Sequence, residues 1–331
     1  MPICNKRSLL KTIIFSALGV CTGFHGVIAI AQSPVWPSQT IKIVVPFAPG
    51  GANDVLARVL TEKLGPALGQ AVIAENRPGA GATVGASQVA AAKPDGYTLM
   101  MFSTPHLVAP VIYKDLPYDA LTSFVPVTRL ATSPFIMVVN PVVPAKSVSE
   151  FVALAKSQPG KLNFGSSGNG SNQHLFGQMF LSATGTDVLH VPYKGSAPAI
   201  VDLVAGQVQV SFMAIPNALP HLKTGRLRAL AVISEKRLAD LPDVPTMAEA
   251  GVPGLGTSPW IALVAPKGTP APVVTRINAE LQKILGSADA MKLLNNAGME
   301  ADYMGSDELG KLIRDDSVRW NRVARSVNLT Q

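Results

Sequence analysis

Two long extended stretches, far apart in the chain, constrain the architecture more than any other feature. "FVPVTRLATSPFIMVVNP" occupies 124–141 and "SPWIALVAPKG" occupies 258–268. An ordinary strand runs about 5–6 residues, so each stretch is long enough to leave one sheet and reach another. Helix and strand patterns alternate before the first stretch, and between the two the alternation restarts. The chain therefore reads as two lobes joined by a double crossover, leaving lobe one near 128–138 and returning near 256–264. Lobe one takes 32–132 and 259–331, and lobe two takes 133–258. Paired crossovers of this kind bend as a hinge while each lobe stays rigid.

In lobe one, strands are expected at 40–47, 71–75 and 97–102, with helices at 54–68 and 84–92. Leu56, Val59, Leu60 and Leu64 share one face of the first helix. In lobe two, helices at 148–156, 173–183 and 197–205 alternate with strands at 162–165, 188–191, 208–213 and 226–233. The tail is helical at 271–285 and 306–327. This alternation predicts an α/β fold with mainly parallel sheets. Ligands of open α/β sheets sit beyond the carboxyl ends of the strands, which here means the cleft between the lobes.

The first 31 residues differ from the rest. Lys6, Arg7 and Lys11 precede an apolar run over 13–30, and Ala29-Ile30-Ala31 gives a small-x-small site. This is the pattern of a secretory signal peptide cleaved after Ala31. The competing readings are a membrane anchor and a lipoprotein at Cys21. Cys4 and Cys21 are the two cysteines of the chain. The mature protein would then carry no disulfide, no cysteine nucleophile and no cysteine metal site. Its net charge falls from +7 to +4 when the three leader cations go. No dense basic run interleaves with aromatics, so nucleic acid is not an expected partner. No later segment offers about 20 continuous apolar residues.

Two Gly-rich loops carry the functional reading. "VVPFAPGGANDVLARVL" (44–60) runs from a strand through Gly50 and Gly51 into a helix, with Asn53 and Asp54 at its start. "NFGSSGNGSNQHLFG" (163–177) repeats the design in lobe two, with hydroxyls at Ser166, Ser167 and Ser171. Free N–H groups and the macrodipole make a helix start attractive to anions, and glycine lets the anion come close. One such loop is also an ordinary strand–helix turn. Two, one per lobe and facing one cleft, suit a carboxylate-bearing ligand. "FSTPH" after the third strand adds Ser103, Thr104 and His106 to the same rim.

Other chemistries find less support. "ENRPGAGATVGA" reads G-x-G-x-x-x-G, and no ribose-binding acid follows at the required distance, so it is not a dinucleotide fingerprint. The four histidines beyond the leader, His106, His174, His190 and His221, lack zincin spacing. "GSSGNG" is not G-x-S-x-G, because Asn169 takes the place of the last glycine. A hydrolase using Ser167 and His174 is the alternative enzyme reading. No metal and no cofactor are expected.

The stretches "WPSQTIKIVVPFAPGGANDVLAR", "ENRPGAGATVGA", "KPDGYTL", "LPYD", "PGKLNFGSSGNGSNQHL", "HVPYKGSAPAI", "GRLRALAV" and "LPDVPTMAEAGVPG", in order over 36–325, together resemble one family. It is the Bug (Bordetella uptake gene) family, the solute-binding receptors of tripartite tricarboxylate transporters. The resemblance implies a type-2 periplasmic-binding fold, with two lobes around a cleft. It implies a non-enzymatic periplasmic receptor for a small organic acid, working with membrane transporter subunits. A signalling partner is the alternative, and nothing in the chain demands more than a monomer. By the resemblance, the ligand carboxylate meets Phe47, Gly51, Ala52 and Asp54, with Asn53 between them. In lobe two it meets Ser166, Ser167 and Gly168. Ser103, Thr104 and His106 match the third-strand rim less cleanly, since Pro105 stands where a small residue is common. Met213 and Ala214 stand where many members have Asp-Asn. If Met213 faces the ligand, the ligand's far end is apolar, as in an aromatic or medium-chain acid.

Overall fold

The computed structural model describes residues 36–256, 258–327 and 329. The expected leader and its cleavage after Ala31 lie outside the described residues. The described chain builds two sheets with helices packed on them.

The first sheet begins with β1 (Ile41–Val45), which leads through a Gly-rich loop into α1 (Ala52–Leu68). β1 is buried along almost its whole length, so it reads as a continuous apolar run rather than an alternating one. α1 buries Leu56, Ala57, Leu60, Leu64 and Leu68 at helical spacing and stops at Gly69, which takes the left-handed conformation. β2 (Val72–Asn76), α2 (Thr83–Ala90) and β3 (Thr98–Ser103) follow. β3 runs straight into α3 (Thr104–Ile112), and β4 (Phe124–Thr132) comes next.

The chain crosses at Ser133 and Pro134 into β5 (Phe135–Val139), an inner strand of the second sheet. That sheet is completed by α4 (Val148–Ser157), β6 (Asn163–Ser166), α5 (Asn172–Thr184), β7 (Leu189–Pro192) and α6 (Ser196–Val204). β8 (Val210–Ala214), α7 (Ile215–Lys223) and β9 (Arg228–Ile233) close it. The chain returns as β10 (Trp260–Pro266), followed by α8 (Ala271–Leu285), α9 (Ala288–Asn296), β11 (Glu300–Met304) and α10 (Ser306–Ser326).

Strand order is β11-β4-β10-β3-β1-β2 in one sheet and β7-β6-β8-β5-β9 in the other. The sheets are mixed rather than mainly parallel. β1 pairs in parallel with β2 and β3, but β10 runs antiparallel to both β3 and β4. The reason is topological. A strand that comes back from the other sheet enters from the opposite end. β5 is likewise antiparallel to β8 and β9.

The two crossovers lie side by side, tied by a 2.9 Å bond from Ser133 N–H to the Pro259 carbonyl. Next to them, Trp260 Nε1–H donates to Asp316 on α10 (2.6 Å). Phe176 of α5 meets Trp320 of α10 edge-on, with centroids 6.2 Å apart.

Candidate functional site

The loops at the strand ends of both sheets enclose a cavity of about 580 Å³, a size suited to a small molecule. Three helix starts border it. They are Gly51, Ala52 and Asn53 of α1, Ser171, Asn172 and Gln173 of α5, and Gly195 and Ser196 of α6. Each brings unpaired N–H groups and the positive end of a helix dipole. Lys194 is the one charged side chain among the described lining residues, and no acid joins it. Phe47, Phe135, Pro259 and Ile261 supply apolar wall.

The first-lobe loop is held from behind by a carboxylate. Asp54 is buried and accepts from Gly50 N–H (2.9 Å), from Arg58 Nε (3.0 Å) and Nη2 (3.1 Å), and from Asn76 Nδ2 (2.8 Å). Burial pushes the Asp54 carboxyl up. The bonds from Arg58, Gly50 and Asn76 outweigh that and hold it below the ordinary 3.8. Asn76 also donates to the Phe47 carbonyl (3.2 Å).

The second-lobe loop is held by neutral groups. Ser166 Oγ lies 2.6 Å from His190 Nε2 and accepts Gly168 N–H at 3.1 Å. The His190 ring stacks on His174 with centroids 4.0 Å apart. His174 Nδ1 accepts Gly170 N–H (3.2 Å), so that nitrogen carries no proton. Burial lowers both imidazoles, His174 to about 4 and His190 to about 3, and the neighbouring His174 adds to the lowering at His190. Both rings are neutral at pH 7.

The loops of the two lobes touch. Asn217 Nδ2 donates to the Gly50 carbonyl (2.9 Å), and Tyr113 OH donates to the Asn169 carbonyl (3.3 Å). Gly195 has φ +114°, and a Cβ there would lie 2.8 Å from the Ala48 side chain of the opposite lobe. Glycine is required at this position both for its backbone angle and for the close approach.

Of the expected site residues, Phe47, Gly51, Ala52, Asn53, Ser167 and Gly168 line the cavity. Six others do not, and each has a physical reason. Asp54, in the first turn of α1, turns back to bind Gly50 and Arg58 instead of facing the cavity. Ser166 is fully buried and spends its hydroxyl on His190 and Gly168. Ser103, Thr104 and His106 turn into the core, because β3 passes into α3 without a loop; Pro105 alone of that rim reaches the cavity. His106 stacks on Phe102 (4.6 Å) and backs Phe47 edge-on (5.8 Å), and burial lowers it to about 4. Met213 sits in the second-sheet core with Ile136 and Val232, while its neighbour Ala214 lines the cavity. Met213 therefore does not face a ligand and says nothing of its far end, because alternate strand residues point to opposite faces.

Two loops were missed as site elements. "ENRPGAGATVGA" contributes Pro78 to Ala82, with Ala80 and Ala82 both at positive φ. Left-handed alanines are uncommon and mark backbone held in place by its surroundings. "HVPYKGSAPAI" contributes the α6 start and Lys194. Its strand–Gly–helix order was the available signal. The Ser167–His174 pair of the hydrolase reading is not formed; His174 Nδ1 serves Gly170 instead.

The comparisons with known proteins bear on this site. A family model described as tripartite tricarboxylate transporter family receptor matches residues 56–329. Protein BugT of Bordetella pertussis (strain Tohama I) is 36% identical over 316 residues, covering 95% of this chain and 97% of its own. R. palustris Rpa4515, solved with adipate, is 35% identical with a TM-score of 0.85, covering 88% of this chain and 98% of its own. The periplasmic binding protein BugD is 34% identical with a TM-score of 0.85, covering 89% of this chain and 100% of its own.

Proposed function

This chain belongs to the tripartite tricarboxylate transporter receptor family, and from that premise we propose that its interlobe cavity captures a small organic carboxylate. The observation that carries the proposal is the cavity itself. Three helix starts and Lys194 converge on it, and no acidic side chain lines it among the described residues. The carboxylate meets the backbone of Gly51, Ala52 and Asn53 on one side and Ser167, Gly168 and Ser196 on the other. Phe47 packs on the ligand body. Hydrogen bonds to a charged group contribute about 1.5–3 kcal/mol each, so a few give micromolar binding, about −8 kcal/mol. The apolar wall fits an acid with a chain or ring, an aromatic or medium-chain carboxylate.

The protein acts in the periplasm as a monomer and hands its ligand to membrane subunits of the tripartite type. The family match and the adipate found in a relative support this reading. The lobes divide at 132/133 and 258/259, where Ser133 and Pro259 meet, and they open there to admit the ligand. A receptor role is favoured over a Ser/His hydrolase. The one close Ser–His pair of the site region, Ser166 with His190, is turned away from the cavity.

A thermal-shift screen against dicarboxylates, tricarboxylates, aromatic acids and acidic amino acids tests the proposal. A ligand at 100 times its dissociation constant stabilises the fold by about 2.7 kcal/mol, a shift of several degrees. No shift with any acid, or turnover of one, overturns it. A partner pull-down from membranes separates transport from signalling.

A further inference from the structure

We infer that the outward face of α10 is a docking surface for an acidic segment of a membrane protein partner; this rests on the transport reading above and adds the place of contact. At about 3.6 residues per turn, Lys311, Arg314, Val318, Arg322 and Arg325 fall within one sector of about 80°, and all five are exposed. The stripe runs about 21 Å along the helix. Val318, 63% exposed, stands at its middle with two cations on either side. Elsewhere the chain pairs its arginines. Arg58, Arg77, Arg129, Arg237, Arg276 and Arg319 each meet a carboxylate, whereas the four cations of the stripe meet none among the described residues. The helix dipole accounts for Arg325 in the last turn and for Asp307, the one acid of the sector, in the first. It does not account for Lys311, Arg314 or Arg322. Lys311 with Arg314, and Arg322 with Arg325, stand one turn apart, and like charges so placed oppose the helix. An acidic segment laid along the stripe relieves both pairs.

A notch beside the stripe favours a protein over a lipid surface. Phe102, Leu121, Phe124, Ile313 and the stripe's own Arg314 help to line a hollow of about 70 Å³. One water needs about 10–15 Å³, so the hollow has room for an apolar side chain. Leu121 is 44% exposed beside it. A segment with acids on both sides of an apolar residue matches stripe and notch together, whereas a bilayer surface offers no side chain for the notch. Glu308 and Asp315 border the stripe, which suits a narrow segment and repels a broad anionic sheet. On its other side α10 holds Trp260 through Asp316 and meets Phe176 through Trp320. A partner docked here sits on the helix that touches both a crossover and lobe two.

Photo-cross-linking in cells tests this, with the full chain carrying a photoreactive benzoylphenylalanine at position 318 and the adduct mapped by mass spectrometry. The expected adduct is with an integral membrane protein, at a periplasmic segment that carries acids beside an apolar residue. Lys311→Gln, Arg314→Gln, Arg322→Gln and Arg325→Gln together should lower its yield at least about tenfold. Thermal unfolding of that variant reports its folding separately. No adduct, an adduct at a segment without acids, or a yield unchanged in the variant overturns the inference. So does sedimentation of the wild-type chain with phosphatidylglycerol vesicles that the variant loses, which assigns the stripe to a lipid surface. None of these outcomes touches the carboxylate reading, which falls only with the acid screen above. A failed screen alongside the expected adduct removes the carboxylate and keeps the partner.

Discussion

The two anion loops perform one task with different physics. In the first lobe a buried carboxylate, Asp54, gathers Gly50, Arg58 and Asn76 and presents the Gly50–Ala52 backbone. In the second lobe no charge takes part. Ser166, His190 and His174 hold Gly168 and Gly170 by neutral hydrogen bonds and ring stacking. The carboxylate's support of the first loop is lost only below the ordinary 3.8, whereas support of the second loop weakens as pH falls below 6.5. A loop can be preorganised either way, because the groups that hold it in place lie behind the surface it presents to the cavity. The supporting chemistry decides the response to pH.

The largest effect is expected where the two lobes meet. Gly195→Val places a branched side chain at positive φ and against Ala48. Ligand affinity should fall by at least about 100-fold, since backbone strain and the clash oppose closure together. Titration calorimetry on folded variant checks this, and unchanged affinity removes Gly195 from the closed state.

The next largest separates the loops. Asp54→Ala orphans Gly50 N–H and leaves the Arg58 guanidinium without its carboxylate. It should cost about 2–3 kcal/mol of stability, read by denaturant unfolding. Because the folded Asp54 pKa lies below 3.8, the contribution of this carboxylate is fully present above 3.8. It is lost only as pH falls through that lower value.

The neutral loop responds in the same direction but in a higher pH window. The folded pKa values of His174 and His190, about 4 and about 3, lie below the unfolded 6.5. Between those limits the unfolded chain binds protons that the folded chain refuses. Stability therefore falls as pH drops from 6.5 towards 4, by several kcal/mol, on the order of 3 for each histidine, with buried His106 contributing in the same direction. The variant His174→Gln with His190→Gln should flatten that part of the curve. A wild-type protein equally stable at pH 7 and pH 4.5 would contradict the neutral-pair account.

The smallest effect is expected at Asn217. Its amide spans the cleft to the Gly50 carbonyl at an exposed position. Asn217→Ala should speed ligand release about two- to fivefold, the value of one solvent-exposed hydrogen bond, as read by stopped-flow or surface binding kinetics.

Much of this was legible in the residues. Both Gly-rich loops were found because a strand, a glycine cluster and a helix start are local signals. α3 and α7 were not, because Pro105, Pro110, Pro216 and Pro220 sit within or beside them. Proline at a helix start is compatible with helix, but it reads as a break when the chain is scanned. The α6 start is a third helix start at the cavity, and its signal is faint in the residues, a single Gly195 preceding it as Gly51 precedes α1. The mixed sheet was hidden because strand direction depends on how a distant segment returns.

The side-chain assignments divide on the same line. Phe47, Gly51, Ser167 and Gly168 reach the cavity because the loop backbone itself faces it. Asp54, Ser103, Thr104, His106, Ser166 and Met213 each lie within two residues of a cavity-lining position and point elsewhere. One residue along a strand, or one position in a helix turn, reverses the face a side chain presents. By itself the sequence determined the two-part alternation of strands and helices, the paired glycine loops and the family. Only the tertiary structure decided which polar groups face the cavity and which stand behind them. Local composition specifies where a chain turns, but facing is set by partners such as Asn76, His190 and Phe135, which lie far off in sequence and on another element.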